Sequence, residues 1–230
     1  MNPSFDVIAF EISIWLLPVL IAVTLHEAAH GFVAHLLGDD TAWRQGRVSF
    51  NPFKHIDPFG TIVLPALLLI AGSPFLFGYA KPVPVNFSAL RHPRRDMILV
   101  AAAGPAMNLI LATLSALAFH LVPYASGTAA RFIADNLKNA LLLNVVLAVF
   151  NLLPIPPLDG GRILTGLLPG VLARPFSRVE PYGMFLLIGL LILLPLLGAQ
   201  FGRDLDFLSG IITQSTRAII GVILRVTLNT

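Results

Sequence analysis

An all-α polytopic membrane protein is predicted by three features of this sequence. Charged residues make up only 12% of its 230 positions, about half the usual fraction of a soluble domain. Hydrophobic residues make up 56% and the mean hydropathy is +0.83, which leaves too little polar surface to coat a globule in water. Uncharged apolar stretches recur along the chain, several close to the length of about 20 residues that spans a bilayer. Together these features predict about four to six transmembrane helices. They form a single domain over residues 1–230, because no hydrophilic stretch is long enough to fold separately.

The first apolar segment runs from Ile8 to Leu37, interrupted by Glu11 and Pro18, and carries Glu27, His26, His30 and His35 in its second half. Gly38-Asp39-Asp40 stops it. A polar connection follows, and then Thr61 to Tyr79, apolar but broken by Pro65, Gly72, Pro74 and Gly78, which reads equally as a span or as a re-entrant segment. Lys81-Pro82-Val83-Pro84-Val85 is an extended stretch that suits an edge strand or a loop, a short β or extended segment associated with the membrane. Met97 to Val122 carries no formal charge, and its Ala101-Ala102-Ala103-Gly104 start lets helices approach closely. Ala140 to Leu153 is a further helix, halted by Pro154-Ile155-Pro156-Pro157, after which Asp159-Gly160-Gly161-Arg162 opens a shorter apolar stretch to Leu172. Gly183 to Phe201 is another uncharged segment. The tail from Phe207 to Leu228 includes Arg217 and Arg225, a pattern suited to the interface.

With no cysteine in the chain, disulfides and thiolate ligands are excluded, and a metal site must draw on His, Asp or Glu. The net charge of +3 is small and its basic residues are scattered through short loops. That distribution fits contact with lipid headgroups and not with nucleic acid. The N-terminus lacks the basic start of a cleavable signal peptide, so the first segment is expected to be retained. Distributing Lys and Arg over alternate sides of a five-span arrangement divides them almost evenly, so orientation is left open.

The chemistry is concentrated in His26-Glu27-Ala28-Ala29-His30. Side chains four apart on a helix lie on nearly one face, one turn apart, so His26 and His30 can bind one zinc ion. Glu27 then lies beside the open position, where zinc lowers the pKa of a water to about 7 and the carboxylate accepts its proton. The bland alternative is a surface helix with two solvated histidines. It is disfavoured because the motif directly follows an apolar run, where a Glu costs a few kcal/mol or more without compensation.

A catalytic zinc normally takes three protein ligands. Glu11, Glu27 and Glu180 are the only glutamates, so no nearby downstream Glu can serve. Val33 and Leu36 stand where a metzincin pattern would require Gly and His. Asp159 stands out, because a carboxylate flanked by apolar segments needs a cavity, cation or partner. Asp39, Asp40, Asp57, His35 and His55 read as solvated loop residues. Asn108 and Asn151 are amides in apolar helices. Each can donate to an oxyanion or position substrate, or can bond between helices for about 1 kcal/mol. Asn144 and His120 read as structural, and Glu11 is either protonated or turned into the same cavity.

His26-Glu27-Ala28-Ala29-His30 together with Asn151-Leu152-Leu153-Pro154-Ile155-Pro156-Pro157-Leu158-Asp159-Gly160-Gly161 resembles the site-2 protease family of intramembrane zinc peptidases. Gly104-Pro105-Ala106-Met107-Asn108 resembles a third signature of that family, so the likeness extends over residues 8–172. The resemblance implies one Zn2+ per chain held by His26, His30 and Asp159, with Glu27 as general base. It also implies the compact prokaryotic type without PDZ or CBS domains, in a bacterial inner membrane. Its expected substrate is a transmembrane-helix protein, usually one already shortened by another protease. The competing readings are a zinc-binding transporter, which would favour several sites along a path, and an inactive scaffold.

Overall fold

A computed structural model describes residues 5–63, 66–67, 70, 78–203 and 205–228. Among the described residues the regular structure is entirely helical. The main helices are α1 (Phe5–Leu36), α2 (Pro93–Ala118), α3 (Gly127–Asn151) and α4 (Asp159–Leu167). They are followed by α5 (Gly170–Ser177), α6 (Gly183–Ile188), α7 (Leu194–Gln200) and α8 (Phe207–Val226). Five helical stretches are long and apolar enough to cross a membrane: Ala9–Leu36, Pro93–Tyr124, Gly127–Asn151, Gly170–Gln200 and Phe207–Val226.

At the centre lies α2, packed against α1, α3 and α4. Its buried positions include Ala101, Gly104, Pro105, Asn108, Ala112 and Ala116, spaced three and four apart so that one stripe of small side chains faces its neighbours. Small residues let helix backbones approach closely where lipid removes the hydrophobic drive for association. Pro93 opens α2, where its missing N–H costs nothing. Buried Asp96 reaches back to accept the His92 N–H at 2.7 Å. Ala112 and Ala116 meet Leu141, Val145 and Val149 of α3 and Ile223 of α8 in one apolar cluster. A second cluster joins Leu153, Leu158, Leu187 and Leu208.

Two sequence expectations change. The helix expected over Ala140 to Leu153 begins much earlier, at Gly127. Its polar first half is accommodated by the Arg131–Asp135 pair at 3.7 Å and by Arg131 lying 5.5 Å from the Phe10 ring. The tail expected at the interface is the helix α8, packed into the bundle through Ile223 and Leu208. A long Arg side chain in its last turn can keep its head in water while its stem stays apolar. Residues Lys81–Asn86, expected as an edge strand or a loop, are a loop without a strand. Most of the Thr61–Tyr79 segment lies outside the described residues, so its span or re-entrant reading stays as an expectation.

The described part of the connection between α1 and α2 folds back on the end of α1. Arg91 N–H donates to Leu37 O at 3.0 Å and Lys81 N–H to His55 O at 2.9 Å. Asp39 and His55, expected to be solvated, are buried. Asp39 accepts from Thr41 N–H at 2.9 Å, Thr41 Oγ1 at 2.5 Å and Asn86 N–H at 2.6 Å, so one carboxylate ties both ends of the connection. His35 stacks on Trp43 and hydrogen-bonds Asp40, whose carboxyl it holds below the usual carboxylate range. Asp39→Ala leaves three donors without their charged acceptor. It is expected to lower stability by about 2–4 kcal/mol, read as an earlier unfolding transition in detergent.

Candidate metal centre

His26 and His30 lie in the last third of α1, about 9–15 Å along the axis from Leu36. Asp159 is the first residue of α4. It follows the Pro154–Pro157 turn, in which the Pro156–Pro157 peptide is cis. Gly160 allows this turn to close. A Cβ there would collide with the carbonyl oxygens of Leu152 and Leu153 at the end of α3. The start of α4 is thereby wedged beneath α3, and its carboxylate reaches α1.

All three side chains are buried. The Asp159 Oδ2 atom lies 3.3 Å from His26 Nε2 and 3.4 Å from His30 Nε2, and the two Nε2 atoms are 3.1 Å apart. The protons can be assigned from the partners on the far side of each ring. Val100 O can only accept, so His30 Nδ1 donates to it, at 2.7 Å. Asn108 Nδ2 donates to Asn144 Oδ1 at 2.8 Å, which turns Asn108 Oδ1 toward His26 Nδ1 at 2.6 Å. As neutral imidazoles both rings therefore carry their proton on Nδ1, which leaves the Nε2 lone pairs pointing inward with Asp159 Oδ2, for which the described residues offer no hydrogen-bond donor.

Three electron pairs at such separations repel unless a cation lies between them. The spacing suits one: tetrahedral bonds of about 2.0–2.1 Å put ligand atoms about 3.3–3.4 Å apart. Among the described residues, this is one cluster of His, Asp and Glu side chains that could hold a metal ion. The N,O donor set is appropriate to zinc, and the second bonds of the imidazoles fix tautomer and orientation. Gly104 completes the cradle, since a Cβ on α2 would lie 2.5 Å from His26 Cε1 and 2.6 Å from His26 Nε2.

The centre opens on a cavity of about 500 Å³ lined also by Glu27, Val83, Asn151, Arg162 and Met184. The Glu27 Oε2 atom accepts the Val83 N–H at 2.7 Å. Asn151 Nδ2 donates to Leu147 O at 3.0 Å, and among the described residues its amide makes no second hydrogen bond. Asn108 is fully buried and both ends of its amide are engaged, so it sits behind His26 and not on the cavity. Asn144 joins the same chain of bonds. His120 bonds Thr227 O at 2.7 Å, tying the end of α2 to α8. Glu11 is exposed, near the other end of α1. Asp57 caps Phe59 and Gly60, and Asp40 pairs with His35, so none of these joins the centre. The roles of Asp39 and of the Val83 N–H had no signal in the sequence, being set by contacts across 47 and 56 positions.

Helices around buried His, His and Asp with a Glu in an adjoining cavity define a membrane metalloprotease. The profile of peptidase family M50 matches residues 120–196. YwhC of Bacillus subtilis (strain 168), named as a zinc metalloprotease, is 42% identical over 197 residues, 81% of this chain and 85% of that protein. Rip2 of Mycolicibacterium smegmatis, similarly named, is 32% identical over 182 residues, 79% of this chain and 67% of its own length. Rip2 of Mycobacterium tuberculosis (strain ATCC 25618 / H37Rv) is 30% identical over 187 residues, 80% and 68% of the two chains. No solved structure matches the chain. The chain belongs to peptidase family M50, the site-2 protease family, and is a zinc metalloprotease of the membrane.

Gly104→Ala puts a methyl group among the imidazoles. It is expected to reduce bound zinc from about one per chain to below about 0.2, as measured by elemental analysis of protein that still elutes as a monodisperse peak.

Proposed function

We propose that this chain hydrolyses peptide bonds within or near transmembrane helices, with zinc held by His26, His30 and Asp159 and with Glu27 as general base. The observation that carries this reading is the inward convergence of three potential ligand atoms, from His26, His30 and Asp159, on a cavity shared with Glu27. A transporter would use several sites along a path, whereas the described residues offer this one cluster. When bound, zinc supplies a Lewis acid that polarises a carbonyl and acidifies water.

The protein's own groups carry the proton and hold the geometry. Glu27 takes a proton from the attacking water and delivers it to the departing amine. Asn151, whose side chain lines the cavity, donates to the carbonyl oxygen as it gains charge. Asn108 acts one step back, holding His26 in the tautomer that leaves Nε2 free. A spanning helix conceals its carbonyls in intrahelical bonds, so the substrate must unwind. The irregular backbone of Ala80, Pro82, Val83 and Val85 lines the cavity. It offers such a strand the Val85 N–H, which has no partner among the described residues, and nearby carbonyls for pairing.

Orientation follows from which ends of the helices lie together. The connection from α1 to α2 leaves and returns at the metal end, carrying Arg44, Arg47, Lys54, Lys81, Arg91, Arg94 and Arg95. At the other end, Arg131, Lys138 and Arg225 face outward. An excess of basic residues marks the cytoplasmic side, so the metal end faces the cytoplasm of a bacterial cell, the source of the relatives above.

Tagged single-span proteins incubated with wild type should be cut, and chelator should stop the cutting. Glu27→Gln should retain about one zinc per chain while losing at least about 100-fold in rate. Loss of zinc in that variant would contradict the role given to Glu27. Because the chain has no cysteine, single replacements report sidedness cleanly. In intact cells an impermeant maleimide should label Ser126→Cys and leave Ser88→Cys unlabelled; the reverse pattern would invert the orientation.

A further inference from the structure

Glu27 and Gly31 lie one turn apart on the same face of α1. The Val83 residue of the α1–α2 connection engages both. Its N–H donates to Glu27 Oε2 at 2.7 Å. Its side chain fills the notch that Gly31 leaves open: a Cβ at Gly31 would lie 3.0 Å from Val83 Cγ1 and 2.8 Å from Val48 Cγ2. Val83 is buried, and no other hydrogen bond reaches Glu27 from the described residues.

The backbone around Val83 is fixed on both sides. Arg47 donates to Lys81 O at 3.0 Å and to Pro82 O at 3.3 Å, and the Asn86 N–H is held by buried Asp39 at 2.6 Å. Pro82 and Pro84 have no N–H, so within this stretch Val83 is the one residue able to donate to the carboxylate at that point. A carboxylate held by one oxygen keeps its second oxygen at a defined bearing. Small misplacements of a proton acceptor can cost about 100-fold in rate.

We infer that the Val83 backbone N–H is a positioning group that anchors one oxygen of Glu27 and aims the other at the reacting water, with Gly31 as the notch that seats it. This rests on Glu27 being the general base. It assigns the polar connection, which supplies none of the three metal-ligand side chains, a part in the chemistry.

The test uses the full chain in nanodiscs, zinc-loaded, with a tagged single-span protein that wild type cleaves. Val83→Pro removes the N–H and keeps an extended backbone. It is expected to lower kcat about 10- to 100-fold, with KM within about threefold and zinc retained. Val83→Ala keeps the N–H and should lose far less kcat than Val83→Pro. If Val83→Pro does not fold, replacement of Val83 by its α-hydroxy acid decides, because it exchanges the N–H for an ester oxygen alone. Wild-type kcat in the variant lacking the N–H, or an equal loss in Val83→Ala, overturns the inference.

A second readout needs neither zinc nor turnover. The Val83 amide in zinc-free protein should be protected from hydrogen exchange, and Glu27→Ala should speed its exchange about tenfold or more. Cleavage by wild type with an unresponsive amide overturns this inference alone. A responsive amide in a wild type that cleaves nothing overturns the proteolytic reading and, with it, the positioning role.

Discussion

Three lone pairs directed at one point cannot remain there without a positive charge between them. Bringing His26 Nε2, His30 Nε2 and Asp159 Oδ2 within 3.1–3.4 Å of one another, in surroundings of low dielectric, is repulsive in the absence of a metal. The arrangement therefore couples metal binding to folding: a cation that holds the three donors also holds α1 to α4. None of these ligands comes from α2, yet α2 determines how they point. Val100 O and Asn108 Oδ1 set the tautomers and Gly104 gives the rings room.

The same reasoning explains the buried amides. In a bilayer an unsatisfied polar group costs several kcal/mol, so each amide that orients a ligand must itself be satisfied. Asn108 passes its bonds to Asn144 Oδ1, and Asn144 closes on Ala140 O of its own helix. The chain of bonds ends in backbone, and its interior needs no water. On the cavity side the requirement is the opposite. Among the described residues Glu27 and Asn151 each keep an unengaged polar atom, an arrangement tolerable only where water or substrate can reach it.

The grouping of His26, His30 and Asp159 was legible in the sequence because its determinants are local or costly. His26 and His30 are fixed on one face by helical periodicity, and Asp159 is conspicuous because a carboxylate among apolar segments has few acceptable environments. Four of the five spanning candidates follow from composition in the same way; Arg217 and Arg225 pointed the fifth toward the interface, and the start of α3 was obscured by Arg131, Asp135 and Lys138, whose partners include a ring on α1. Asp39 was illegible for a related reason. A carboxylate beside a glycine in a polar loop looks solvated, and its burial depends on Thr41 and Asn86 folding over it. Asn108 could be recognised as important but not assigned, since nothing in the sequence says which face of α2 meets α1.

The stretch from Lys81 to Asn86 shows how irregular backbone can be accommodated beside a helix bundle. Backbone outside helices is acceptable at such depth when it lines a cavity or lies within protein, and each of its polar groups must be accounted for. Proline at positions 82 and 84 removes two donors. The amides of Lys81, Val83 and Asn86 are spent on His55, Glu27 and Asp39, and Arg47 takes two carbonyls. What remains is concentrated at Val83 to Val85, against the cavity. An intact helix, with its own amides already paired, gains nothing from those groups; an unwound segment does. Under the proposed proteolytic reading, the residual hydrogen-bonding capacity of this wall would favour a substrate that has already given up its helix at the point of attack.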